Sequence, residues 1–486
     1  MSSRTEWRTS RPTAGLWHTA KSSALREQFD ISTLDEVMNR KADIVIAGYY
    51  GYGNLGDEAI RVALRDALDK RGIDAMWLTA RPQAQDEIDR RSVLRVYRAL
   101  RHSRALVFGG GGLLQNRTSN RSLLYYLGLM GLSRIARKSV LLLGQGIGPI
   151  HGRFARLLTR IALKHAAYIG CRDQGSAEFL RNEGLNAVLD GDLFFLLPPV
   201  EEPPTRSSAA RNIVLCLKGT KNEELLCRSR WVTQEKGSSF KMLPETKNCL
   251  TTKDTKGTKG SEDEPLDPAP KVGHIAQPIR AFDSSSSSIL RVLRVFRALR
   301  GEFPLVSVPR KPKSEITAHS KRQGTDKAEM VEKTVHMLDE VSRRTKISVT
   351  LLPFFPAQDL IISEKIASRL NIPCRIVRAD TIDNTMHVLE EADLVISSRL
   401  HGLEFALRAG VPMIAINEDQ KINAFVAEVK ESSGLEIPCI GFPSCEQVLR
   451  VLGSPPSPAS VRGAYVVMHT RATEVFSRFV AVLEEL

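Results

Sequence analysis

Short runs of almost wholly apolar residues recur along the chain, each closed by a turn and followed by a stretch of helical character. DIVIA (43–47), AMWLTA (75–80), RALVF (104–108), SVLLLG (139–144) and AAYIGC (166–171) form a first series. NIVLCL (212–217), KISVTLL (346–352), CRIVRA (374–379), DLVIS (393–397) and MIAIN (413–417) form a second. Strands without in–out alternation are covered on both faces, the condition of a parallel sheet with helices on either side. The expected fold class is α/β, with two Rossmann-like parallel-sheet domains facing a cleft. Helices are expected over 58–70, near 326–343, over 380–391 and over 404–408. The first domain is expected over 42–205 and the second over 206–219 and 326–455. A helical tail over 456–486 could cross back over the first domain.

Two stretches lack the pattern. Residues 1–41 are polar and weakly periodic, and read as a disordered extension in which Met38 could be the native start. Residues 220–325 hold TTKDTKGTKG, SEDE, PLDPAP and a run of five serines, and read as a mostly disordered insert. Within it RVLRVFRALR (291–300) nearly repeats SVLRVYRALR (92–101), with eight of ten positions identical. A basic amphipathic helix and mere insertion debris are both open readings of the copy, with debris favoured.

The chain has 486 residues and a net charge of +14, concentrated before residue 330. This balance suits an anionic ligand or an anionic membrane surface. No run interleaves basic and aromatic residues, so nucleic acid is not an expected partner. The seven cysteines are scattered without C-x-x-C spacing, which suits a reducing cytoplasm and excludes a disulfide scaffold. The longest apolar stretch, 123–132, is about half of the roughly 20 residues a bilayer span requires. No signal-peptide pattern opens the chain. A cytoplasmic protein, at most peripheral to the inner membrane face, is expected. Residues 125–138 are the candidate for membrane contact, although a buried helix with a basic end is the better reading.

Four segments could carry chemistry. GYYGYGNLGDEA (48–59) holds Gly51, Gly53 and Gly56 in G-x-G-x-x-G spacing after a strand and before a helix. A dinucleotide site would want an acidic residue after the second strand. Arg81 stands near there instead, so the milder reading is close approach of backbone N–H groups to a ligand. A tight turn with Asp57 and Glu58 at a helix N-terminus is compatible with it. Asn54 and Asp57 join the candidate binding residues. The glycines 109–112, followed by Gln115, form a second loop, from which Gly110, Gly111 and Gly112 are candidates. GQGIGP (144–149) forms a third, with Gln145, Gly146 and Gly148. Ligands of open α/β sheets lie beyond the carboxyl ends of strands, where all three loops fall. In SSRLHGLEFALRAGVP (397–412), Ser398, Arg399 and His401 precede a helix expected to open at Gly402, which makes an anion site. Arg172, at another strand's carboxyl end, is either a ligand-binding cation or a surface partner of Asp173. No His/Asp/Glu cluster has metal-ligand spacing, so no metal is expected.

Taken in order, GYYGYGNLGDEAI, FGGGGLLQNRTSNRSLLYYLG, GQGIGPI, CRDQGSAEFL and SSRLHGLEFALRAGVP resemble the bacterial polysaccharide pyruvyl transferases. The resemblance covers about 43–217 and 326–425. It implies an architecture like the B-type glycosyltransferases and transfer of pyruvyl from phosphoenolpyruvate to a sugar as a ketal, with release of phosphate. The implied acceptor is a cell-wall or surface polysaccharide or its lipid-linked precursor. Phosphoenolpyruvate is then a substrate, and no cofactor is implied. Carried over, Arg172 and Arg399 hold the donor's carboxylate and phosphate, and His401 is the general acid. Asn116 departs from the family's frequent Asp. Glu404 departs from an apolar position, and a solvent-exposed side chain is expected there. Rival readings are a nucleotide-sugar glycosyltransferase, for which Glu404 is a weakly placed ribose ligand, and a non-catalytic binding protein. Homo-oligomerisation is left open.

Overall fold

The computed structural model describes residues 41–117, 119–200, 210–219 and 313–486, with 313–326 as backbone only. The first sheet contains β1 (Ile44–Tyr50), β2 (Ala75–Thr79), β3 (Glu87–Asp89), β4 (Ala105–Leu114), β5 (Ser139–Ile147), β6 (Tyr168–Cys171) and β7 (Val188–Leu189). They lie in the order β3-β2-β1-β4-β5-β6-β7, and every pairing is parallel. The second contains β8 (Arg211–Cys216), β9 (Ile347–Leu351), β10 (Cys374–Ile376), β11 (Leu394–Ser397), β12 (Met413–Ile416) and β13 (Cys439–Ile440). Their order is β10-β9-β8-β11-β12-β13, again parallel throughout. Strand order reverses between β1 and β4 in one sheet and between β8 and β11 in the other. Those are the switch points where open α/β sheets place ligands.

Around the first sheet run α1 (Leu55–Asp69), α2 (Val93–Arg101), α3 (Asn120–Ile135), α4 (Arg153–Leu163) and α5 (Gln174–Asn182). Alternate strand residues point to opposite faces. Ile44, Ile46, Val107 and Leu141 pack against Ala59, Ile60, Ala63 and Leu64 of α1. Val45, Ala47, Leu106 and Phe108 meet Val96, Leu129, Leu163 and Ala177 from α2 to α5. The second sheet carries α6 (Lys313–Arg344), α7 (Pro356–Ala367), α8 (Ile382–Glu390), α9 (Leu400–Ala409), α10 (Gln420–Ser433) and α11 (Cys445–Gly453). The final helix, α12 (Pro458–Glu484), crosses back to the first sheet's side. The hydroxyl of its Tyr465 donates to the Leu197 carbonyl at 2.9 Å, and the Leu483 carbonyl accepts from Arg104 at 2.7 Å.

Several expectations shift. β4 and β5 run through 109–112 and 144–147, so these glycines are strand residues and not loops. Gly110 and Gly111 have φ of 78° and 80°, and the β4–β5 register breaks beside them. A side chain at Gly110 would also collide with Ile60, 2.9 Å away. α9 opens at Leu400 and not at Gly402 or later. The helix expected from 326 begins at Lys313, inside what reads as insert. The rest of the insert, its repeated basic segment and residues 1–40 lie outside the described residues.

An aromatic staple joins the two domains. Phe194 and Phe195 sit in a 3₁₀ turn (Leu193–Leu196) after β7. Phe194 meets Phe405 of α9 at a ring distance of 4.7 Å, and Phe405 meets Phe354 at 5.6 Å. Phe195 stacks on Phe425 of α10 and touches Tyr465. Phe405→Ala would leave a void in this fully buried contact. Its expected cost is about 3–5 kcal/mol, read from denaturant unfolding; a loss below about 1 kcal/mol would show that the domains are not joined there.

Candidate active site

The carboxyl edges of the two sheets face each other. The Leu55 N–H at the start of α1 donates to the Phe354 carbonyl beyond β9, at 3.0 Å. Gly56 lies against His401. A Cβ at Gly56 would fall 1.8 Å from the imidazole Nδ1, so only glycine lets α1 approach α9 this closely.

Arg399 is the N-cap residue of α9 and is extended, with φ −106° and ψ 127°. Ser397 fixes the turn: its Oγ accepts from the Arg399 N–H at 3.0 Å and donates to the Arg399 carbonyl at 2.7 Å. The Arg399 guanidinium reaches Asp359, a fully buried carboxylate in the first turn of α7, and donates to Gln358 Oε1 at 3.2 Å. Its buried Nε has no partner. No side chain caps α9. A helix N-terminus with an arginine and a histidine in its first turn is suited to an anion.

From the first sheet comes Arg172, beyond β6. Its Nη1 is 3.5 Å from Asp192 Oδ2 and its Nε 3.6 Å from Asp173 Oδ2. It covers Gly146, where a Cβ would come within 2.7 Å of the guanidinium. Both readings of Arg172 therefore have a part in the geometry: it pairs with Asp173, yet it is buried and turned toward the interface. Lys421, on the first turn of α10, adds a third cation. Burial, then Arg172, lower its pKa to about 8.

His401 is largely buried, and its Nε2 has no hydrogen-bond partner. Burial first, then the fields of Lys421, Arg172 and Arg399, hold its pKa well below 6.5. The imidazole is therefore neutral near pH 7. Glu404 Oε2 stands 3.8 Å from His401 Nε2. The expectation that Glu404 is solvent-exposed is overturned: it is 1% exposed and both its oxygens lack hydrogen bonds. The i,i+3 spacing on a helix that is apolar nearly all round carries it inward. Burial first, then Asp192, push its carboxyl well above 4.5. In this position Glu404 backs the histidine and is not free to hold a ribose.

Asp192, His401 and Glu404 each offer a ligand atom within 4.8 Å of the others. Sequence spacing missed this cluster because Asp192 arrives from another domain. The surroundings fit a metal poorly. A divalent cation there would join the positive charges of Arg172, Lys421 and Arg399. No step is assigned to a metal.

The remaining candidates divide. Gly56, Asp57, Gly111 and Gly146 meet at the interface: a Cβ on Gly111 would be 3.1 Å from Asp57 Oδ1. Others are engaged within the chain. The Gly51 N–H donates to Glu58 at 2.7 Å, and Asn54 bonds Asp57. Gln145 Nε2 donates to the Phe108 and Gly110 carbonyls at 3.2 and 2.8 Å, pinning the bend of β4. Gln115 accepts from the Arg117 N–H at 3.1 Å, and the Gly148 N–H donates to Leu114 at 2.9 Å. Ser398 Oγ accepts from the Lys218 N–H at 2.9 Å. Asn116 bonds Asn120 and the His151 backbone. Gly53 and Gly112 have open space around them, and Arg81 is exposed. Sequence reasoning missed Asp359, Asp192 and Lys421. The placement of Lys421 just past the strand end at Ile416, on a new helix, is the one local signal that could have found it.

Asp57 supplies a test of this electrostatic picture. Burial, together with Glu58 and Asp192, raises its pKa from 3.8 to about 7 against the pull of Lys421 and Asn54. The folded protein then holds a proton that the unfolded chain releases. The associated stability is present below pH 3.8 and is lost as pH rises through about 7. Asp57→Asn should therefore melt at least roughly 2–4 °C above the native protein at pH 8, with the margin shrinking toward pH 5. Equal melting curves at both pH values would contradict it.

No curated protein shows significant similarity to the chain. Solved structures resemble it weakly. A putative UDP-N-acetylglucosamine 2-epimerase from Listeria monocytogenes aligns with TM-score 0.48 and 12% identity, over 92% of this chain and 98% of that one. MurG from Acinetobacter baumannii aligns with TM-score 0.38 and 9% identity, over 91% and 99%. The two-sheet architecture rests on this chain's own strand pairing. The polysaccharide pyruvyl transferase family model matches residues 54–241 and 295–420, well over half of the chain, so the chain belongs to that family.

Proposed function

We propose that the protein transfers the pyruvyl group of phosphoenolpyruvate to a sugar of a cell-surface or cell-wall polysaccharide, or of its lipid-linked precursor, forming a ketal. The reading is carried by one observation: Arg172 and Arg399, from opposite sheets, both act on a buried imidazole at an uncapped helix N-terminus. Phosphoenolpyruvate brings about three negative charges near neutral pH, close in number to the three cations there.

In this reading Arg172, Arg399 and the α9 N-terminus hold the donor's carboxylate and phosphate. The bound anion offsets the fields that keep His401 neutral, so the imidazole takes up a proton when donor is present. His401 then gives that proton to the methylene carbon. An acceptor hydroxyl oxygen bonds to the adjacent carbon, and the carbon–carbon π bond is lost. Phosphate departs with the electrons of the C–O bond, and a second hydroxyl closes the ketal. Of the two hydroxyl protons released, one replaces the proton given by His401 and the other leaves with phosphate.

The test is acceptor-dependent release of phosphate from phosphoenolpyruvate, assayed with a lipid-linked amino-sugar disaccharide as acceptor. Loss of the proton donor in His401→Ala should lower kcat at least about a hundredfold while largely sparing donor binding. Arg172→Ala and Arg399→Ala should mainly raise the donor KM. Near-normal kinetics of the histidine variant would remove His401 from the mechanism. Turnover of a nucleotide sugar without phosphate release from phosphoenolpyruvate would replace the reading with a glycosyl transfer.

A further inference from the structure

From Arg90 to Arg172 the chain contains no Asp or Glu and sixteen Lys and Arg, of which only Arg90 and Arg172 are buried. This stretch builds α2, α3 and α4, which lie on the same face of the first sheet and share one core. Their outer surface is therefore basic, with no acidic residue of its own to offset the charge.

The outer surface of α4 is also apolar. Phe154 is 71% exposed, Leu157 42% and Ile161 52%. Their spacing of three and four places them on one side of the helix. Arg153, Arg156, Arg160 and Lys164 are exposed along the same helix, which buries only Thr159 and Leu163 on its inner side. Leu94 of α2 and Ile135 of α3 extend the exposed apolar set, at 57% and 36%. Three large apolar side chains flanked by cations, on a helix already seated on a core, make the pattern of a surface that enters the headgroup region of a membrane.

We propose that the outer face of α2, α3 and α4 docks on an anionic lipid bilayer, with Phe154, Leu157 and Ile161 entering the interface and the surrounding arginines meeting lipid phosphates. Of the stretch 125–138 only the outer side, with Arg134 and Ile135, joins this surface, since Tyr126, Leu129, Met130 and Leu132 are buried. A second copy docked through the same face is a poor occupant, because it would bring the same sign of charge against itself. A nucleic acid would satisfy the arginines and leave the apolar row in water. An anionic bilayer answers both features. Among the described residues no helix is long and apolar enough to cross a membrane, so the contact is peripheral.

The full-length protein should co-sediment with vesicles of phosphatidylcholine containing about 30% phosphatidylglycerol, at least fivefold more than with pure phosphatidylcholine, in about 0.1 M salt. The double variant Phe154→Ser, Ile161→Ser should lower this binding at least about tenfold, as should Arg153→Glu with Arg160→Glu. Both should keep the native melting temperature and native donor binding, since every altered residue is exposed. Three results would overturn the proposal: no preference for anionic vesicles, vesicle binding that survives in both variants, or duplex-DNA binding lost in the arginine variant but kept in the serine variant. None of these bears on pyruvyl transfer, which is read as phosphate release in the absence of vesicles.

Discussion

Burial, and then the mutual repulsion of Arg172, Arg399 and Lys421, sets the charge state at the interface between the two sheets. The fold brings these cations together from three different strand ends, with carboxylates beside each, Asp419 acting on Lys421. Asp359 answers Arg399, and Asp192 with Asp173 answers Arg172. Glu404, the remaining acid beside His401, has a pKa raised so far by burial and by Asp192 that it does not offset the field. With burial as the larger cause, these fields leave a lowered lysine and a histidine held neutral. An anion of several charges is the species that this array would bind and that would in turn change the state of His401. Under the proposed function, binding of the donor and readiness of the acid would be one event.

The fixed geometry depends on contacts that leave little freedom. Gly56 admits the imidazole, Gly146 admits the Arg172 guanidinium, and the Phe194–Phe405–Phe354 row holds the domains in register. Neither glycine is required by its backbone angles, so each is there for space. The outward face of the first sheet's helices has the opposite character, with basic and large apolar side chains exposed.

Much of this was legible in the sequence because buried parallel strands are apolar on both faces, and that signal is local. It located every central strand, and the R-L-H turn could be placed at a strand's carboxyl end from the same pattern. The glycines of β4 and β5 were misread because a bent strand pinned by Gln145 looks like a loop until its neighbours are known. Glu404 was misread because burial of an acid on an apolar helix depends on what packs around it. Asp192 and Asp359 were invisible for a related reason: their partners lie 20 and 40 residues away in the chain, and a carboxylate in isolation carries no sign of its arginine.

The most direct measurement is the protonation state of the His401 ring by ¹⁵N NMR of histidine-labelled protein, with the signal assigned by its loss in His401→Gln. At pH 7 the ring nitrogens should report a neutral imidazole in the free protein and an imidazolium once phosphoenolpyruvate saturates it, with no such change on adding a nucleotide sugar. A ring already charged in the free protein, or one that stays neutral under saturating phosphoenolpyruvate, would contradict the account.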